Sequence, residues 1–153
     1  MASLDPNFHQ ETVSLHQEHE ELMKQLDQLD GALEQIVCYT EVLTDLATAN
    51  QAAAQGKWMA EWLPKHYAHE ETSVLAMIAR MSPELAAFAR EMQRQHNEMR
   101  LRLESFRDHL SHIGEQRDLE AAVAELKREG KDLTRVMRLH ISAEERKFAG
   151  LEN

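Results

Sequence analysis

Two short stretches of this chain carry the same polar letters. His66-Tyr67-Ala68-His69-Glu70-Glu71 and His140-Ile141-Ser142-Ala143-Glu144-Glu145 both read His-x-x-x-Glu-Glu. On an α-helix, residues four apart lie about 40° from each other and one turn along. Each pair can therefore aim an imidazole nitrogen and a carboxylate oxygen at one point, which is the geometry of a metal clasp. A single such pair is ordinarily a solvated surface contact. Two copies on apolar faces are another matter.

Counting by threes and fours puts His140 and Glu144 in line with Leu119, Val123, Leu126, Leu133, Met137 and Phe148. His66 and Glu70 fall in line with Trp58 or Met59, Trp62 or Leu63, Val74, Met77 and Met81. These are the core-facing stripes of amphipathic helices. A carboxylate buried there without a partner is costly. The two pairs must satisfy each other, directly or through bound cations.

Four helices are needed to position these residues. Asp5-Pro6 reads as a helix start, and the stripe Phe8, Thr12, Leu15, His19, Leu22, Leu26, Leu29, Leu33, Ile36 predicts a first helix over about 7–38, weakened by Gly31. The pattern then blurs, which places the first turn near Thr40 or Thr44. A second helix is predicted over about 45–81, with Pro64 expected to kink it just before His66. Ser82-Pro83-Glu84 is an N-cap, a first-turn proline and an acid beside the positive helix end. The third helix, about 83–112, carries Leu85, Phe88, Met92, His96, Met99, Leu103, Phe106 and Leu110. Ile113-Gly114-Glu115 ends it, and Asp118 or a neighbour opens the fourth, about 117–148. No strand pattern, Gly/Ser linker or low-complexity tract interrupts them. The whole of 1–153 is expected to form a single all-α domain, an up-down-up-down antiparallel four-helix bundle.

The heights of the polar residues test this arrangement. His66 and Glu70 lie 16 and 12 residues before Ser82, and His96 lies 14 after it. In an antiparallel hairpin these come to nearly one level. The midpoint between His19 and the 66/70 pair falls in the blurred first turn. That between His96 and the 140/144 pair is Leu119, a few residues past Gly114, so the fourth helix fits only if the loop climbs or a boundary shifts.

One cross-section of the core is then expected to hold His19, His66, Glu70, His96, His140 and Glu144. Imidazole nitrogens with hard carboxylate oxygens suit iron, with zinc or manganese as alternatives. For a pair of iron ions, each would take two histidines, and Glu70 and Glu144 would bridge. That leaves room for an oxo or hydroxo bridge and an open position.

One His on helix one, His-x-x-x-Glu on helix two, one His on helix three and His-x-x-x-Glu on helix four resembles the hemerythrin-like, HHE cation-binding domain. The resemblance covers nearly the whole chain and includes the doubled glutamates, Glu70-Glu71 and Glu144-Glu145. It implies a non-haem di-iron site in a four-helix bundle, with partners among dioxygen, nitric oxide and peroxide. The oxygen-carrying members have His-x-x-x-His on helix three and His-x-x-x-x-Asp on helix four. Here Arg100 follows His96 by four, and Glu144 follows His140. Those departures argue against simple reversible oxygen carriage.

His16 and His69 are the candidates for an extra ligand or a supporting contact, each three residues from a central histidine. Tyr67 is expected to reach a neighbouring helix or a bound oxygen species, and Arg100 either closes the site or pairs with a surface glutamate. Trp62 is expected to pack over the site. His9, His109 and His112, and the acidic run Glu18, Glu20 and Glu21, are expected on solvated faces, and the eight methionines as core filler.

A formal charge of −10 excludes non-specific binding to nucleic acid or anionic membrane. No window approaches the length of an apolar membrane span. A lone cysteine, Cys38, and a start with neither a basic nor an apolar run fit a cytoplasmic protein without a secretory leader. There is no Glu-x-x-His of ferritin-like bundles, no His-Glu-x-x-His, no paired cysteines and no phosphate loop. The expected function is that of a di-iron protein binding a small oxidant for sensing, storage or detoxification. A peroxide-directed oxidoreductase and a structural zinc or manganese bundle are the alternatives, and the sequence identifies no redox partner.

Overall fold

The computed structural model describes residues 3–39, 42–43 and 46–153, and these form four long helices. α1 is Phe8–Gln35, α2 Leu46–Thr72 continued by the short α3 Val74–Ala79, α4 Pro83–Ser111 and α5 Leu119–Glu152. A two-residue antiparallel bridge, β1 Cys38–Tyr39 with β2 Val42–Leu43, follows α1. It is too short to leave an alternating pattern in the sequence, which reads as strandless. Thr40 and Thr44, where the first turn was expected, lie outside the described residues.

Side-chain pairs fix how the helices run against each other. Between α1 and α5, Thr12 bonds Glu152, His16 bonds Glu145, and Asp30 binds Arg138. Residues rise along α1 as their partners fall along α5. The same opposite order holds for α1 with α2 (Glu11 to His69, Gln28 to Gln55) and for α4 with α5 (His96 to His140, His109 to Glu129).

The helix ends follow local chemistry. The Ser82 hydroxyl accepts from the Leu85 amide at 3.1 Å and the Asp118 carboxylate from the Ala121 amide at 3.0 Å, each filling one of the orphan donors of a first turn. α4 stops at Ser111, and Ile113–Glu115 forms a single 3-10 turn. Since His109 meets Glu129 and His96 meets His140, the hairpin is centred near Leu119. The start of α5 therefore overhangs the end of α4, and the loop climbs beside it. At its other end α5 runs to Glu152, beyond the expected stop near Phe148. Phe148 meets Phe8 edge-on, with ring centroids 6.4 Å apart, and Glu152 bonds Thr12, so the last turn is held against the start of α1.

α2 passes through Pro64 without a break, and Pro64 is exposed. The interruption comes instead at Ser73. There the Ser73 hydroxyl bonds the His69 carbonyl at 2.6 Å, and the Thr72 hydroxyl bonds the Ala68 carbonyl at 2.7 Å. Hydroxyls that bond back to carbonyls of the preceding turn compete with the helical ladder and bend it. The turn rotates the apolar stripe, so Val74, Leu75 and Ile78 are buried where Val74, Met77 and Met81 were expected.

On α1, α4 and α5 the expected stripes are buried, with Thr12 and Phe88 only partly so. The apolar core is not continuous. A larger cluster from Leu22 to Ile141 and a smaller one around Phe8, Leu15, Leu75, Met92 and Phe148 lie on either side of a polar layer.

Candidate metal centre

That polar layer consists of His19, His66, Glu70, His96, His140 and Glu144, contributed by all four long helices and each at most 4% exposed. Their ligand atoms form two groups sharing Glu70: His19, His66 and Glu70 in one, and Glu70, His96, His140 and Glu144 in the other. Within each group the atoms lie within 4.8 Å of one another. Glu70 Oε1 contacts His66 Nε2 and sits 3.3 Å from His19 Nε2, while Oε2 is 3.6 Å from His96 Nε2. Glu70 thus faces His19 and His66 with one oxygen and His96 with the other. Glu144 Oε1 is 2.8 Å from His140 Nε2 and 3.6 Å from His19 Nε2. His96 and His140 point Nε2 at Nε2 across 3.1 Å.

These contacts do not satisfy the layer on their own. Glu70 Oε2 and both oxygens of Glu144 are buried with no hydrogen-bond partner among the described residues. Orphaned buried carboxylate oxygens amid converging imidazoles are what a cation resolves. The donor set of neutral nitrogens and hard oxygens fits a divalent first-row metal.

The outward nitrogen of every imidazole is also spoken for. His66 Nδ1 meets Glu18 at 2.9 Å, His96 Nδ1 meets Glu71 at 3.0 Å, His140 Nδ1 meets Gln95 at 2.8 Å, and His19 Nδ1 meets Glu145 at 2.7 Å. Each acceptor sits on the neighbouring long helix, immediately beside one of that helix's own inward residues. The contacts close a ring around the bundle. An acceptor at Nδ1 places the proton there, leaving the Nε2 lone pair facing the centre, and raises the basicity of the imidazole.

Without a cation, the layer is an electrostatic compromise. Burial opposes ionisation of Glu70, but the protonated Glu144 carboxyl beside it and the imidazoles of His19, His66 and His96 outweigh it and hold this carboxyl well below the usual range. Burial, then the charge of Glu70, pushes Glu144 well above it. Two carboxyls this close in a dry core cannot both ionise. Burial disfavours charge on His19 too, yet Glu145 and Glu70 raise it to about 9. Burial and the neighbouring His96 push His140 down to about 3.

This arrangement has a counterpart among known families. A family model, the hemerythrin HHE cation binding domain, matches residues 10–151. The chain belongs to the hemerythrin HHE cation-binding family. Neither the curated proteins nor the solved structures compared with it gave a match.

Within this hemerythrin domain the flanking residues stand around the layer, outside the two donor groups. His16 is exposed, with Nδ1 on Glu145 at 3.0 Å and Nε2 on Glu20 at 3.1 Å. His69 has both nitrogens occupied, by Glu11 at 2.8 Å and Glu18 at 2.6 Å. Neither joins the two donor groups, because a position three residues from an inward histidine is carried about 60° off the layer. Arg100 does not close the site: half exposed, it binds Glu104 and Asn97 on its own helix. Tyr67 stacks on His96, centroids 4.0 Å apart and rings within 11° of parallel. Burial pushes its phenol up, and the charges of Glu70 and Glu144 add to that. Trp62 stacks on His66 at 4.9 Å. His9, His109 and His112 are exposed, as expected of solvated positions.

Sequence reasoning missed Glu18, Gln95 and the role of the second glutamate in each doublet. Glu18 was assigned to a solvated run with Glu20 and Glu21, yet it holds two histidines of α2. The available signal was adjacency: each acceptor is the chain neighbour of an inward residue, at the edge where two helices meet. Beside the layer, a groove of about 760 Å³ between α1 and α5, bordered by Met23, Ile141 and Ser142, reaches His19.

Proposed function

We propose that this domain is an up-down-up-down antiparallel four-helix bundle, spanning 1–153, that holds two iron ions and binds a small oxidant: dioxygen, nitric oxide or peroxide. The observation that carries the reading is the pair of buried glutamates, three of whose four oxygens have no hydrogen-bond partner among the described residues, at the meeting point of four inward Nε2 atoms. His19 and His66 would hold one ion, His96 and His140 the other. Glu70 would bridge them, with Glu144 as the second carboxylate. When bound, an iron pair supplies open coordination positions and one-electron redox steps. Everything else is the work of this chain. The ring of Glu18, Glu71, Gln95 and Glu145 fixes the imidazole planes and accepts at Nδ1, so that the Nε2 atoms face the centre. Leu15, Leu22, Met99 and Met137, all buried, flank the layer and exclude bulk water. The groove beside His19 is the route by which a small molecule reaches the layer. No helix among the described residues is long and apolar enough to cross a membrane, and a lone cysteine suits the cytoplasm.

A second reading, turnover of peroxide at the same centre, is favoured by the stacked aromatic side chains that lead away from His66. Iron-loaded protein exposed in turn to dioxygen, nitric oxide and hydrogen peroxide separates the readings. Binding gives a stable new absorption band without turnover. Peroxide turnover gives gas evolution or donor consumption that disappears in His140→Ala. A structural zinc or manganese bundle gives neither, and that result would overturn both.

A further inference from the structure

We propose that Trp62 and Trp58 form a relay that carries an oxidising equivalent from the metal centre to the surface of α2 when the protein meets peroxide, a proposal that rests on the iron-binding and peroxide readings above. Trp58, Trp62 and His66 recur every four residues along α2, and their rings stack in series. Trp58 and Trp62 have centroids 5.0 Å apart with planes 18° from parallel, and Trp62 and His66 have centroids 4.9 Å apart with planes 13° from parallel. Electron transfer weakens exponentially with the gap to be crossed, so short steps between stacked rings outrun one long jump past aliphatic side chains. Both indoles are half-buried, so the path starts at a metal-ligating imidazole and ends within reach of solvent.

Tyr67 lies closer to its histidine than Trp62 does, yet it makes a poorer relay. A phenol must give up its proton when it loses an electron, and the partner of the Tyr67 hydroxyl among the described residues is the Met99 sulfur at 4.0 Å. A thioether is a weak acceptor and no base. An indole carries the charge as a radical cation until its neighbour refills it, so Trp62 needs no base beside it.

The electrons balance as follows. Splitting the O–O bond of one hydrogen peroxide into two waters consumes two electrons and, from solvent, two protons. Where a bound iron pair would supply only one of these electrons, Trp62 gives the second. Trp58 then reduces Trp62 and releases its indole proton to water. A small hydrogen-atom donor of the thiol or ascorbate class restores Trp58 with one electron and one proton. Without this path the missing electron comes from the ligands themselves or from Met99 and Met137, which lie in the core beside the layer.

The test uses the full chain, loaded with iron, oxidised by one electron and mixed with hydrogen peroxide. Freeze-quenched samples are read by electron paramagnetic resonance, and oxygen adducts are mapped by peptide mass spectrometry. The relay predicts an indole radical and adducts concentrated on Trp58. In Trp58→Phe the adducts stay on Trp62. In Trp62→Phe, which keeps a ring against His66, adducts on Trp58 fall to the level of the iron-free protein while iron content is unchanged. Trp58 adducts that persist in Trp62→Phe, or that form equally without iron, overturn the relay, as does oxidation that goes to Tyr67 or Met99 instead. Peroxide consumed with no indole oxidised overturns the relay alone. Failure to bind iron or to consume peroxide, read from metal analysis and a peroxide assay, overturns the parent reading with it.

Discussion

Glu70 and Glu144 occupy equivalent places in the two His-x-x-x-Glu-Glu stretches, but their surroundings treat them differently. Three imidazoles face the oxygens of Glu70, whereas both buried oxygens of Glu144 lack a hydrogen-bond partner among the described residues. Without a cation Glu144 keeps its proton, and a buried polar group left without a partner costs about 1–3 kcal/mol that a hydrocarbon of similar size does not carry. Glu144→Leu is therefore expected to raise the denaturant midpoint of the chelator-treated protein while lowering its metal content, a trade measured by urea unfolding and metal analysis on one preparation. The outer ring is tested separately. Glu71→Ala, which frees His96 Nδ1, is expected to weaken metal binding by about 10–100-fold in a competition titration. Glu84→Ala, on an exposed first turn, is expected to leave it unchanged. Protons give a third check. His19 is raised from 6.5 to about 9, and Glu144 is raised as well. From pH 6.5 to 9 the metal-free folded chain keeps protons that the unfolded chain has released, so its stability is expected to fall as pH rises through that window. His140, depressed to about 3, opposes this near pH 6.5, where the unfolded chain still protonates it in part, and adds almost no slope above about pH 8. A loaded site, in which the cation replaces those protons, is expected to show a flatter profile in the same unfolding series.

At the scale of helices, the stripes, caps and ring of levels were legible because each depends on spacing within one segment. Ser82 and Asp118 cap as their positions suggest, and the six polar residues reach one layer. The Ser73 break was not legible, since it depends on which of several hydroxyls turns back onto the preceding carbonyls. The outer ring was hidden because a residue about 100° from an inward one looks solvated on a helical wheel. Only the neighbouring helix makes it an inner-edge position. Gly130 was hidden likewise. A methyl there would meet Leu33 Cδ1 at 2.5 Å and Phe106 Cε1 at 2.9 Å, and both residues are fully buried. Gly130→Ala is expected to destabilise by about 1–3 kcal/mol despite the better helix former, because overpacking outweighs propensity. Gly31, with nothing within 4 Å of an added methyl, is expected to behave oppositely. Gly31→Ala should stabilise by about 0.5–1 kcal/mol, with thermal unfolding of both variants as the check.

For the molecule as a whole, the metal layer divides the interior into two apolar clusters. The four helices pass through both, so the layer is the seam that couples them. The smaller cluster, built around Phe8, Leu75, Met92 and Phe148, has the less apolar surface to hold it closed. Stripping the metal is expected to speed amide exchange most in α3, the start of α1 and the end of α5, with α5 before Met137 changing least. The central claim, that six side chains from four helices hold a pair of cations, meets its most direct test in the metal stoichiometry of the protein reconstituted with ferrous iron. The account predicts about two ions per chain for the unaltered protein, and at most about one when Glu70, which is shared by both donor groups, is replaced by alanine. A stoichiometry of one or none in the unaltered protein, or an undiminished value in Glu70→Ala, would contradict it.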